Sequence, residues 1–126
     1  MNQLRRLPDT ELEVMQVIWH CVPPVSVADI SEAVYRIHPM AETTLQTLLS
    51  RLTEKGFLDV TIQKRKKYYT PIVSLESYQI SQSRSFFQKV CGSNLSAFAN
   101  ALCEGGLTKE EIAQLRILLK EANYEH

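Results

Sequence analysis

Thr43, Thr44, Gln46, Thr47, Ser50 and Arg51 fall together in the stretch AETTLQTLLSRLTEKGFL, residues 41–58. Their shared chemistry is hydrogen bonding. They offer short hydroxyls, an amide that both donates and accepts, and one guanidinium. Within the same stretch Leu45, Leu48, Leu49 and Leu52 recur at i, i+3, i+4 and i+7, one apolar stripe of a helix. The six polar residues therefore share the opposite face. A merely solvated face would favour Glu and Lys, which keep rotamer freedom in a helix that Thr and Ser lose. Two turns of short polar side chains give up helix propensity, and a surface that must be read would account for it. The major groove of B-DNA admits one α-helix and shows a distinct donor, acceptor and methyl pattern for each base pair. Gln pairs two-fold with adenine, a Thr methyl packs on the thymine methyl, and Arg reaches guanine or phosphate. Thr43 alone could be a capping residue, but Thr47 and Ser50 lie one and two turns further in.

A reading helix needs elements to hold it. LPDTELEVMQVIWHC carries Pro8 and Asp9 as start signals and Leu12, Met15, Val17, Ile18 and Trp19 as an apolar face, a first helix stopped by Pro23-Pro24. VSVADISEAVYRIHP opens with Ser26 as N-cap and Asp29 three residues on, a capping-box variant. Its inner stripe is Val27, Ile30, Val34 and Ile37, and Pro39 ends it. After the reading helix, Gly56 sits where a C-cap glycine belongs. The period then changes to two: Leu58, Val60 and Ile62 alternate with polar residues, and a second strand follows around Tyr68–Ile72. The connection lacks Gly and Asn, so a loop longer than two residues is expected there. Three helices and a hairpin, in that order, are a winged helix-turn-helix. Lys64, Arg65, Lys66 and Lys67 crowd the hairpin tip, where four cations would meet phosphate backbone beside the groove, with Lys55 as a further backbone contact. A solvated turn is the plainer explanation of such a run.

From Ser74 onward the pattern is helical only. One long helix, with Leu75, Tyr78, Ser83, Phe86, Phe87 and Val90 near its inner side, breaks at Gly92. A short helix ends at Gly105-Gly106, and a last one opens on the capping box Thr108–Glu111. These helices carry more apolar surface than so thin a unit can bury. Phe87, Leu95, Phe98, Leu102, Ile112, Leu115, Leu118 and Leu119 are therefore expected to pair with a second copy of the chain. Folding back on the N-terminal domain is the competing arrangement. The expected organisation is a mainly α fold with a small β-hairpin wing: a winged helix-turn-helix at 1–73 and a three-helix dimerisation domain at 74–126.

The totals set limits. The chain has 126 residues, formal net charge zero, 44% hydrophobic and 22% charged residues. Zero net charge would argue against a nucleic-acid partner, but the distribution is dipolar, with Asp9, Glu11 and Glu13 in the first helix and the cations in the wing. No apolar run approaches the ~20 residues of a membrane span, and the N-terminus lacks the apolar core of a secretory signal, so a cytoplasmic protein without membrane contact is expected. Cys21, Cys91 and Cys103 form no CxxC pair, and His20 beside Cys21 points about 100° away on a helix, so free thiols and no metal are expected. GxSxG, HExxH and P-loop motifs are missing, and with them any expectation of an enzyme or a cofactor.

The arrangement resembles the penicillinase-repressor (BlaI/MecI) family of bacterial transcription regulators over nearly the whole chain. The resemblance rests on TELEVMQVIW at 10–19, TTLQTLLSRLTEKGFL at 43–58, the YYTPIV ending of the wing and LTKEEIAQLRILL near the C-terminus. It implies a homodimeric repressor on dyad operators of double-stranded DNA, typically controlling β-lactam resistance genes. It also implies relief through a sensor-controlled protease that cuts the dimerisation helices, often at an Asn-Phe bond. The matching position is Asn100-Ala101, without the Phe. The family often has Lys and Pro just before the reading helix, where Glu42 and Thr43 stand, and the CxC pair of its copper-sensing branch is missing. Two other functions compete: a winged helix serving only protein assembly, and a regulator binding an apolar ligand near Tyr78, Phe86 and Phe98.

Overall fold

The computed structural model describes residues 4–124. Six helices and three short strands follow one another: α1 (Asp9–Trp19), β1 (Val25–Ser26), α2 (Val27–Ile37), α3 (Glu42–Glu54), β2 (Leu58–Gln63), β3 (Lys66–Pro71), α4 (Leu75–Lys89), α5 (Leu95–Gly105) and α6 (Lys109–Tyr124). The strands form one antiparallel sheet in the order β1-β3-β2. β1 is the element the sequence hides, since two residues are too few to show a period. Val25 opposes Tyr69 and Ser26 opposes Tyr68, which ties the start of α2 to the root of the wing.

The core of the N-terminal part is built from the expected stripes. Val14, Met15 and Ile18 of α1, Ile30 and Val34 of α2, and Leu45, Leu48, Leu49 and Leu52 of α3 are buried, closed below by Phe57, Leu58 and Tyr69. Ile37 departs from its stripe. It is 65% exposed, because α2 ends there and His38 turns the chain away. Ser26 caps α2 by accepting from the Asp29 amide at 3.1 Å. α3 ends in a Schellman arrangement: the Phe57 amide donates to the Leu52 carbonyl and the Gly56 amide to that of Thr53, with Gly56 at φ 84°. The glycine is required there, and it delivers Phe57 straight into the core.

Contacts divide the chain into two compact units, 1–82 and 83–126. The first extends beyond residue 73 because the opening turns of α4 are anchored on it. The Leu7 amide donates to the Tyr78 hydroxyl oxygen at 2.8 Å, and Tyr78 packs its ring 5.7 Å from those of both Trp19 and Phe57. The Leu4 amide donates to Ser81 Oγ, and Gln82 Nε2 donates to the Leu4 carbonyl. Trp19 Nε1 donates to the Val73 carbonyl at 2.8 Å. Of α4, only Tyr78 is buried; Phe86 and Val90, expected on an inner side, are exposed.

In the second unit Phe98 meets Phe86 and Phe87 with ring centres 6.2 and 5.5 Å away. Asn94 caps α5 by accepting from the Ala97 amide. Thr108 and Glu111 exchange both hydrogen bonds of a capping box at the head of α6. Among the described residues none after Tyr78 is buried.

Candidate nucleic-acid interface

The four leucines of α3 leave at most 5% of their surface exposed. That burial fixes the rotation of the helix about its axis, and with it the direction of the polar face. Thr43, Thr44, Gln46, Thr47, Ser50 and Arg51 are all exposed, as are Glu42 and Glu54 at the two ends. Ala41 occupies the N-cap without a side-chain bond, so Thr43 is not there to cap. Thr47 Oγ1 donates to the Thr43 carbonyl at 3.0 Å. That bond consumes its only hydroxyl hydrogen and leaves a methyl and oxygen lone pairs facing outward. Thr47 is thus set to offer a methyl contact or an acceptor, while Gln46 keeps both its donor and acceptor ends.

The wing projects beyond the core. Its connection is not the longer loop expected: Gln63 pairs with Lys66, so only Lys64 and Arg65 form the turn. Both adopt positive φ, 49° and 67°, the geometry of a tight primed turn that matches strand twist and favours Asn-Gly. Two cationic residues hold it at a steric cost of about 1–2 kcal/mol each. Lys64, Arg65, Lys66 and Lys67 are all exposed. Successive strand residues point to opposite faces, so Lys66 and Lys67 splay to both sides of the ribbon. Ile62, paired with Lys67, is 68% exposed because the hairpin here has outrun the core. At the root Tyr69 is buried, which pushes its phenol pKa above the ordinary value, and Tyr68 is half-buried on the other face.

Lys55 does not join the wing cations. Its ammonium is bound to the Glu11 carboxylate of α1, with side chains 19% and 3% exposed. The pair locks α1 to the last turn of α3, a positioning role that local sequence does not reveal. Glu11 looks like an ordinary first-turn acid, and its partner is 44 residues away.

The remaining candidates lie in the second unit. Leu95, Leu118 and Leu119 are 71%, 52% and 58% exposed, joined by Ile117 at 59%, which the sequence reading passed over. Phe87, Phe98, Leu102, Ile112 and Leu115 are half-buried, while Asn100 and Ala101 are exposed within α5. Cys21, Cys91 and Cys103 are free, and the described residues contain no cluster able to hold a metal ion. No helix among them is long and apolar enough to cross a membrane.

A three-helix core with an outward-facing third helix and a cationic hairpin beside it defines a winged helix-turn-helix, an architecture that places its third helix in a DNA groove. A family model described as penicillinase repressor matches residues 7–121, and the chain belongs to that family. It is 30% identical over 122 residues to the penicillinase repressor of Bacillus licheniformis, covering 96% of this chain and 94% of that one. It is 28% identical to the methicillin resistance regulatory protein MecI of Staphylococcus aureus strain N315, over 95% and 98% of the two chains. Among solved structures it resembles the DNA-binding domain of the repressor BlaI, with TM-score 0.54 and 31% identity over 62% of this chain and 94% of that one. It also resembles monomeric Bacillus licheniformis BlaI in complex with the blaP half-operator, at TM-score 0.51 and 32% identity over the same shares.

Proposed function

We propose that this chain is a transcriptional repressor that binds palindromic operator DNA as a homodimer and controls β-lactam resistance genes. The observation that carries it is the hydroxyl and amide face of α3, laid open while the leucines behind it are sealed. Family membership supports the regulatory role, and the relatives named for penicillinase and methicillin resistance support the target genes. The exposed apolar side chains of α5 and α6 support a second copy as the partner of the C-terminal unit. A two-fold dimer places two reading helices about 34–36 Å apart, one duplex turn, and so selects an inverted repeat. A module serving only protein assembly would show aromatic or aliphatic side chains on α3 in place of Thr and Ser.

Release by a sensor-controlled protease, in the cytoplasm where the DNA lies, completes the proposal. Asn100 and Ala101 are exposed, but their bond lies within α5, so cutting requires that helix to open locally.

The test is a mobility shift of promoter DNA with the full chain at two salt concentrations; no retardation at low salt ends the proposal. Within it, Gln46→Ala costs about 1–3 kcal/mol on the operator and little on random duplex. Equal loss on both would place Gln46 away from the bases. Replacing Lys64-Arg65 by Asn-Gly separates shape from charge. Relief of the strained turn raises the unfolding free energy by about 1–2 kcal/mol. The loss of two phosphate contacts flattens the salt dependence of binding by roughly two counterions on any sequence. Thermal melts and a salt titration check the two effects independently.

A further inference from the structure

Three of the seven acids of the first three helices have a side-chain partner. Glu11 is bound to Lys55, Glu13 to His38 at 2.8 Å, and Glu32 to Arg36 at 2.7 Å. Glu42 is different. It is the first residue of α3, it is exposed, and its carboxylate has no hydrogen-bond or ion-pair partner among the described residues. It borders an open cleft with Ala28, Ser31, Glu32, Tyr35 and Arg36, and Arg36, the cation there, is already paired with Glu32. One turn further on, at i+4, stands Gln46, so the two share one side of the reading helix.

The N-terminal residues of a recognition helix are those that reach base edges. A carboxylate carried there approaches a polyanion, and among the groups on the base edges only a hydrogen-bond donor offsets that repulsion. In the major groove guanine offers N7 and O6 and thymine O4, all acceptors. Cytosine presents its N4 amino group alone, and adenine pairs its amino group with an acceptor at N7. A carboxylate therefore fits cytosine best and is rejected by guanine and thymine.

Resting on the proposed DNA-binding function, we infer that Glu42 determines specificity by accepting a hydrogen bond from cytosine N4 in the operator half-site. Four residues of helix rise about 6 Å, so this cytosine lies within about two base pairs of the position that depends on Gln46. The same charge lowers affinity for DNA that has no amino group there. Glu42 thus acts as a filter as well as a contact. A glutamate at this position also favours the helix dipole, but that effect carries no base preference.

The test is selection of bound duplexes from a random library by the full chain and by Glu42→Gln and Glu42→Ala, read by sequencing. The wild-type chain is expected to enrich an inverted repeat with cytosine near the Gln46-dependent position, preferred about ten-fold over guanine. In Glu42→Gln the preference moves to adenine, which an amide pairs two-fold. In Glu42→Ala it disappears, while binding to random duplex is equal or tighter. Undiminished cytosine enrichment in Glu42→Ala overturns the inference, as does a wild-type repeat with no cytosine in that window. Failure of the wild-type chain to enrich any duplex overturns the DNA-binding reading itself.

Discussion

Replacing Lys55 by Ala is expected to lower the unfolding free energy by about 3–5 kcal/mol, because it strands a buried carboxylate. Glu11 keeps only 2% of its surface, and its ion-pair partner is the Lys55 ammonium. The double variant Glu11→Leu with Lys55→Met removes both charges while keeping aliphatic volume, and such exchanges are often neutral or stabilising. Urea unfolding of the two variants checks this directly. A single variant within ~1 kcal/mol of wild type would mean that Glu11 reaches solvent in the folded chain. The pair also bears on DNA binding, since it fixes the C-terminal end of the helix that carries Gln46 and Arg51.

The second large effect concerns assembly. Leu118→Glu is expected to turn the proposed dimer into monomers and lower affinity for a full inverted repeat by about 100- to 10,000-fold. The second half-site is then no longer engaged at high effective concentration. Leu118 is 52% exposed within one chain, so the substitution removes little from that chain's own core. Half-site binding is therefore retained. Light scattering and a mobility shift on half and full sites separate these outcomes. A variant that stays dimeric would move the pairing surface elsewhere.

How much of this was legible in the residues depended on whether the signal was local. Leu45, Leu48, Leu49 and Leu52 repeat at a spacing that only a one-sided helix explains, and all four are buried. The Thr108–Glu111 box and the Gly56 stop are short patterns with one physical meaning each, and both formed. What escaped was set by tertiary contacts. β1 is strand-like only because Tyr68 and Tyr69 lie alongside it. The tight wing turn forms against the preferences of Lys64 and Arg65, since the β2–β3 pairing leaves no other route. Ile37 fits its stripe but outlasts the surface α2 could pack on. Lys55 looked like one more cation near DNA because Glu11, its partner, is distant in sequence.

The anchoring of α4 has a practical side. A fragment cut after residue 73, where the period of the sequence changes, would lack Tyr78 and Gln82. The indole of Trp19 and the ring of Phe57 would then face water, and the amide of Leu7 would lose its acceptor. Anyone wishing to express the operator-reading half by itself should carry the gene on through codon 82.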